Sequence, residues 1–441
     1  MKKLLLVLLS SVIILGCKKD HEPEIHPVTV KISTSYASAQ LGQVLSLSKV
    51  KIKLKNINTT RLSDFETDAN GKLSIDSISL GIYDIDASIV IKAADYTRLT
   101  GEIVTEDVIF NASQKNQAIT LNNASNIQLS LVSGSIGNWL IKQIYYAGSN
   151  TTTGASFRDQ FIEIYNNTDS VLYADSLFVG EIIGRQSYTN TGYNTLPNGQ
   201  YDWSKSLNMP SNIDANNDYT YPRALFMIPG NGRQYPVQPG KSIVIAQTAV
   251  NHKAPFTGSD GKTVTVRDPS LTIDLSIADF ETYYAPFLPR PLASDIDNPA
   301  VPNVDVLSYF GTDLILDATG RTGLIVFRGN GVKPVKDLPQ YNFPTISTPT
   351  ANSDKYYQIP NNLIIDAVEL QPNTASARIP KKLGASLDAG FTFAPNGSYS
   401  SQSVIRKTLR SENGRIILKD TNNSTEDFDY LALANPRGFK Q

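Results

Sequence analysis

Cysteine is nearly missing from this chain: Cys17 is the single thiol among 441 residues. No intrachain disulfide can form, and no cysteine cluster can hold a metal. Histidine is almost as scarce, present only as His21, His26 and His252. That leaves little material for imidazole acid–base chemistry. Charge of one sign is not in excess either, since 40 basic residues face 41 acidic ones. The concentrated basic face of a nucleic-acid binder is therefore not expected. Beyond the first fifteen residues, no stretch approaches the ~20 apolar residues of a membrane-spanning helix. Long segments of helical period are also lacking. Short alternating runs broken by Asn, Asp, Gly and Pro take their place, as in sandwiches and barrels.

What the chain does contain begins with an address. Lys2 and Lys3 precede an apolar run from Leu4 to Leu15, too short for a permanent span, and the run closes at Gly16-Cys17. A small residue directly before a lone cysteine resembles the lipobox of bacterial lipoproteins. The resemblance implies removal of residues 1–16 and acylation of Cys17, with outer-membrane lipid as the anchoring partner. Each buried CH₂ of the acyl chains contributes ~0.8 kcal/mol to that anchor. Residues 17–27 then read as a solvated tether, with Lys18, Lys19, Asp20, His21, Glu22, Pro23 and Glu24 in succession. The same stretch resembles the acidic export signal of surface lipoproteins, which implies an outer membrane location facing the cell exterior. An ordinary periplasmic spacer is the alternative.

The first globular unit spans residues 28–132. Val28, Val30 and Ile32 alternate with polar residues, and so do Val50, Ile52 and Leu54, as half-buried strands require. Asp68, Asn70 and Gly71 mark a turn in which side-chain oxygens cap the backbone and glycine supplies a positive φ. Leu73, Ile75, Tyr83, Ile85 and Ala87 then face inward. This D-x-N-G…G-x-Y-x-I pattern resembles the prealbumin-like or carboxypeptidase-regulatory type of β-sandwich, a common stalk. Asp68 and Asn70 as calcium ligands are the competing reading.

The second unit takes residues 133–441. Strands are expected at Leu140–Tyr146, Phe161–Asn166, Leu172–Val179 and Val237–Ala246. A hairpin is expected over Leu314–Phe327 around the turn Asp317-Ala318-Thr319-Gly320, then strands at Leu363–Leu370 and Ser403–Lys407. Phe161-x-Glu163-x-Tyr165-Asn166, the Pro239-Gly240 strand and the closing Arg406-Lys407…Asp420-Thr421-Asn422-Asn423-Ser424…Asp427-Phe428 resemble the lamin-tail domain, an immunoglobulin-like sandwich. Such a domain is much shorter than this region. The excess falls in insertions near Gly184–Pro222, Asn251–Asp305 and Lys333–Pro360, where specificity is expected to reside. Lipobox, small sandwich and expanded lamin-tail-like domain together resemble the surface-lipoprotein family named domain of unknown function 4876. The fold class expected is therefore all-β: a small sandwich followed by a larger one.

Catalytic patterns are weak. His21 and His26 stand five apart with Pro23 between them, which does not fit a helical zinc motif. His252 is the sole candidate base in the globular region, and no G-x-S-x-G elbow accompanies it. Ser259-Asp260-Gly261-Lys262 matches S-x-x-K literally, but Asp-Gly signals a turn rather than a helix. Gly230-Asn231-Gly232 lacks the third glycine of a dinucleotide loop. Asp214-Ala215-Asn216-Asn217-Asp218 begins like a calcium loop, then departs from it at Tyr219 and Leu225. No cofactor and no metal are expected.

One constellation points to binding. The first insertion carries Tyr188, Tyr193, Tyr201, Trp203, Tyr219 and Tyr221 among Asn, Gly, Thr and Asp. Amphipathic rings among hydrogen-bonding side chains make good contact surfaces for a glycan or a protein. Packing of the insertion onto its own sandwich is the competing reading. The expectation is a non-enzymatic surface lipoprotein, a binding or accessory subunit of a TonB-dependent uptake system. A structural adhesin or envelope-organising lipoprotein and a cryptic hydrolase are the alternatives.

Overall fold

The alternation of apolar and polar residues near the N-terminus becomes a small sandwich in the computed structural model. The structure describes residues 27–101, 107–121, 126–133, 138–329, 331–412 and 414–440. The expected leader, Cys17, His21 and His26 lie outside the described residues. Seven strands build the first unit: β1 (Val28–Tyr36), β2 (Lys51–Asn56), β3 (Leu62–Glu66), β4 (Lys72–Ile78), β5 (Gly81–Ile91), β6 (Val108–Ile119) and β7 (Ile127–Ser133). They run in the order β3-β2-β5-β6-β7-β1-β4. The sheet folds into two leaves joined along β6 and β7, which pair at Phe110↔Ser133 and Asn111↔Val132.

Val30, Ile32 and Leu129 from one leaf meet Ile52, Leu54, Ile85 and Phe110 from the other. The turn between β3 and β4 follows its sequence signature. Asp68 Oδ1 accepts from the amides of Asn70 and Lys72, both at 2.8 Å, and Gly71 takes φ +71°. Two short helices not anticipated from the sequence, α1 (Ala39–Val44) and α2 (Ala93–Thr100), close the ends. Tyr96 of α2 packs 6.3 Å from the ring of Phe110.

Eleven strands in two sheets form the body of the second unit. A six-stranded sheet contains β8 (Trp139–Tyr145), β9 (Phe161–Asn166), β12 (Ser242–Ala246), β13 (Phe280–Glu281), β17 (Ser403–Arg406) and β18 (Phe428–Leu431). A five-stranded sheet contains β10 (Leu177–Ile182), β11 (Pro222–Met227), β14 (Asp305–Ser308), β15 (Gly323–Arg328) and β16 (Ile364–Glu369). Their orders are β13-β12-β9-β8-β17-β18 and β14-β11-β10-β15-β16. Ile141, Ile162, Ile164, Ile243, Ile245 and Val404 face Val179, Phe226, Leu324, Val326 and Val368 across the sandwich. The chain is all-β, and its helices are brief.

The insertions cover the outer faces of both sheets. From Asn251–Asp305, Ile273, Leu275 and Val301 pack on Tyr145, Phe161 and Val244. From Lys333–Pro360, Val335, Tyr357 and Ile359 pack on Phe178, Ile325 and Phe327. Strands thereby lose both solvent faces, and β8, β9 and β10 are buried at every position. Charged residues on these strands are buried with them and meet partners. Lys142 Nζ lies 2.9 Å from Glu163 Oε1, and Ser242 Oγ donates to the same carboxylate at 2.5 Å. The residues of the closing R-K…D-T-N-N-S…D-F segment form a second buried charge group. Arg406 reaches Asp366 at 2.7 Å, Asp420 at 3.0 Å and Asp427 at 3.6 Å.

Three sequence expectations need correction. The strand expected over Val237–Ala246 is broken, since Val237 pairs with Leu172 and the chain turns between Gln238 and Lys241 before β12 begins. The strand expected over Leu172–Val179 is interrupted, with Leu172–Tyr173 pairing separately from β10. Asp175 causes the break: its carboxylate accepts amides of Gly232, Gln234 and Tyr235 at 2.8–3.0 Å, and Ser176 turns at φ +58°. The hairpin expected over Leu314–Phe327 has only its second arm, β15, whose two edges are occupied by β10 and β16. Leu316 pairs instead with one side chain. Its amide donates to Gln160 Oε1, and Gln160 Nε2 donates back to its carbonyl, both at 2.9 Å. Among the described residues no helix is long and apolar enough to cross a membrane.

Candidate functional site

The outer face of β2, β5 and β6 meets the loops of the larger sandwich. Asn111 Nδ2 donates to Thr421 O at 2.7 Å, and Lys53 pairs with Glu426 across the seam. Beside this seam opens a cleft of about 580 Å³. Asp84 from β5 and Ser113, Gln114 and Gln117 from β6 form one wall. The first insertion supplies Tyr188, Tyr201, Trp203, Tyr219 and Tyr221, and the segment after β16 supplies Arg378, Lys382 and Phe391. Its volume falls within the range of ordinary small-molecule sites.

Polar staples hold the insertion in place. Arg185 donates to Gly199 O, Tyr188 O and Asn190 O at 3.0, 2.9 and 2.5 Å. Gln200 Oε1 accepts from the amides of Arg185 and Tyr201, while its Nε2 donates to Pro380 O at 3.1 Å. The staple thus ties the insertion to the opposite lip. Beneath it, Trp203 stacks on Tyr221 with centroids 3.7 Å apart and planes 9° apart. Tyr201, Phe343 and Tyr356 complete the aromatic cluster. Tyr221 donates to Ala215 O and accepts from Gln358 Nε2, both at 2.9 Å. Burial raises the Tyr201 and Tyr221 hydroxyls well above their usual pKa, so both stay neutral.

The six aromatics chosen from the sequence therefore divide. Tyr201, Trp203 and Tyr221 are buried and pack the insertion onto its sandwich. Five of the six border the cleft, and Tyr193 lines a neighbouring hollow with Tyr201 and Phe343. Tyr188, half exposed, and Tyr219 are the rings with surface to offer a ligand. Asp84, Arg378, Phe391 and Phe393 were not singled out from the sequence. No local pattern marks them, because Arg378 and the rings beneath it come from separate turns.

Arg378 follows a short 3₁₀ turn at Ala375–Ala377. Its guanidinium lies 4.7 Å from the Phe391 ring centre and 5.3 Å from that of Phe393. Burial depresses its pKa, an effect the Asp84 carboxylate opposes. Neighbouring cations are occupied: Lys382 sits 2.7 Å from Glu369, and Lys381 donates to the carbonyls of Asp388 and Gly390.

Other sequence candidates serve the fold. His252 is fully buried with Nε2 3.1 Å from Thr248 O, and burial pulls its pKa down to about 4. Ser259–Lys262 form a hairpin turn in which Gly258 N donates to Lys262 O at 2.8 Å. The Gly230–Gly232 loop cradles the Asp175 carboxylate. Asp214 caps its own turn through the amides of Asn216 and Asn217 at 3.2 and 3.1 Å. Among the described residues no three His, Asp or Glu side chains converge as metal ligands.

No curated protein compared with this chain matches it. The crystal structure of a DUF4876 family protein from Bacteroides thetaiotaomicron is 25% identical, with 91% of this chain and 95% of that one aligned at a TM-score of 0.50. A DUF3823 family protein from Bacteroides uniformis aligns over 50% of this chain and 99% of its own, at 11% identity. The TM-score of that alignment is 0.16. Residues 238–434, the greater part of the second sandwich with its second and third insertions, match the family described as protein of unknown function DUF4876.

Proposed function

We propose that the chain is a surface lipoprotein of the outer membrane that captures a polar ligand in the cleft beside the seam. Capture without turnover would make it a binding or accessory subunit of a TonB-dependent importer. Gly16-Cys17 supports the lipid anchor. The first unit, a prealbumin-like stalk in this reading, would carry a lamin-tail-like domain above the membrane.

The observation that carries the proposal is the cleft itself: two walls from different sandwiches, with aromatic rings among amides and hydroxyls. Such a lining recognises ring-bearing, hydrogen-bonding ligands. The state of His252 favours binding over hydrolysis, because a buried imidazole held to a backbone carbonyl is poorly placed to activate a nucleophile.

Affinity purification of the full chain from detergent-solubilised outer membrane tests the partner. Co-purification of a barrel transporter is expected, and its absence in a preparation that also binds no growth substrate would refute the reading. Mass spectrometry of the natural protein should find an acylated Cys17 at its N-terminus. An unmodified thiol behind an intact leader would remove the anchor.

A further inference from the structure

We propose that the cleft takes an acidic saccharide, a uronic-acid oligosaccharide, whose carboxylate is held by Arg378. The inference rests on the ligand-capture reading above and adds to it the chemical class of the ligand.

Arg378 is built like a recognition arginine. Its guanidinium is laid over two phenylalanine rings, whose faces attract the cation and restrain its plane. No acid comes within ion-pair distance of it among the described residues, and its Nε is buried without a hydrogen-bond partner. The fork of an arginine matches the two oxygens of a carboxylate. The contrast with Arg223 is direct, since that guanidinium is closed by Glu181 through bonds of 2.9 and 2.8 Å. Arg378 shows the same chemistry with the carboxylate still to come.

The rest of the cleft restricts which carboxylate fits. Asp84 stands on the opposite wall, and its carboxylate acts on the Arg378 guanidinium from there. Ser113 Oγ donates to Asp86, Gln114 Nε2 to Gln117 Oε1 and Gln117 Nε2 to Ala118 O, so this wall offers a polyol the remaining lone pairs and amide protons of these groups. Tyr188 and Tyr219 offer ring faces with hydroxyl tips on the other side. One negative charge, several hydroxyls and a flat ring surface describe a hexuronate better than a peptide terminus.

Calorimetric titration of the detergent-solubilised full chain tests this. The probes are oligogalacturonate, oligoguluronate and a chondroitin disaccharide, each beside its carboxyl-reduced neutral counterpart, with trialanine and inorganic phosphate as further arms. At least one acidic saccharide should bind, with its neutral counterpart weaker by roughly tenfold or more. Arg378→Gln should lose a similar factor toward the acidic probe and little toward the neutral one. Arg378→Lys should fall between, because charge is kept while the fork is lost. Tyr188→Ala should weaken acidic and neutral probes alike. Equal affinity for neutral and acidic forms, indifference to Arg378→Gln, or preferential binding of trialanine or phosphate would each overturn the proposal. Should no probe bind while a transporter co-purifies, the saccharide inference fails and the importer reading stands. If neither occurs, both fall.

Discussion

The two sandwiches use the same strand chemistry under different solvent conditions. In the first, β1 keeps one wet face, and burial along β1 and β2 alternates residue by residue. Its ion pairs, such as Arg98 with Asp95, stay largely exposed. In the second, insertions blanket both sheets, and charged residues on the outward faces become interior residues. Lys142–Glu163 and Lys382–Glu369 are nearly inaccessible, and so is the Arg406 group, which joins the two sheets through Ile141 and Asp366. Covering a sheet with loops thus changes the role of its polar positions. Groups that water would satisfy must be matched inside the protein, and each match depends on its partner.

Substitutions can break this comparison. The largest effect is expected from Arg406→Met, which leaves Asp366, Asp420 and Asp427 buried without their cation. Urea titration should show a loss of about 3–5 kcal/mol, and a loss near that of a surface change would refute the contrast. Next comes the pH profile. Burial and the neighbouring Asp295 push the Asp313 carboxyl up to about 8, and burial also raises Glu281 to about 7 and Asp295 to about 6. These acids hold protons more tightly folded than unfolded. Their penalty is absent below the usual carboxylate range and complete above the raised values, so stability should fall as pH rises from about 5 to 8. Asp313→Asn should reduce that fall by about 1 kcal/mol or more, and an unchanged slope in thermal melts across the range would count against the assignment.

Smaller effects belong to the first sandwich. Gly71→Ala would place a Cβ 2.8 Å from Thr34 Oγ1 at φ +71°, and a loss of about 1–2 kcal/mol is expected on denaturation. Arg98→Ala, removing an exposed pair, should change stability by less than about 0.5 kcal/mol. A larger change there would mean that surface pairs in this unit do more than the comparison allows.

Legibility in the sequence followed the same division. The turn at Asp68–Gly71 and the alternation of Val30, Ile32, Ile52 and Leu54 are local signals, and they place the first sandwich well. In the second, Phe161–Asn166 and Ser403–Arg406 were readable as strands, whereas the arm before β15 was not. Its backbone partner is the Gln160 side chain, more than 150 residues away in the chain, which strand periodicity cannot report. The aromatic insertion was visible as a cluster, but not which rings would turn inward. Arg378 was hidden for a related reason. Nothing about an arginine in a polar loop announces two phenylalanine rings beneath it.

Gln160 also has a bearing on how the second unit keeps its alignment. A pair of adjacent strands can slide by two residues and recover most of its ladder. An amide that reads one peptide group in both directions has no such alternative, because a shift by two leaves donor and acceptor unmet together. Leu316 is therefore fixed by a latch rather than a zipper, and the loop leading into β15 has one permitted position.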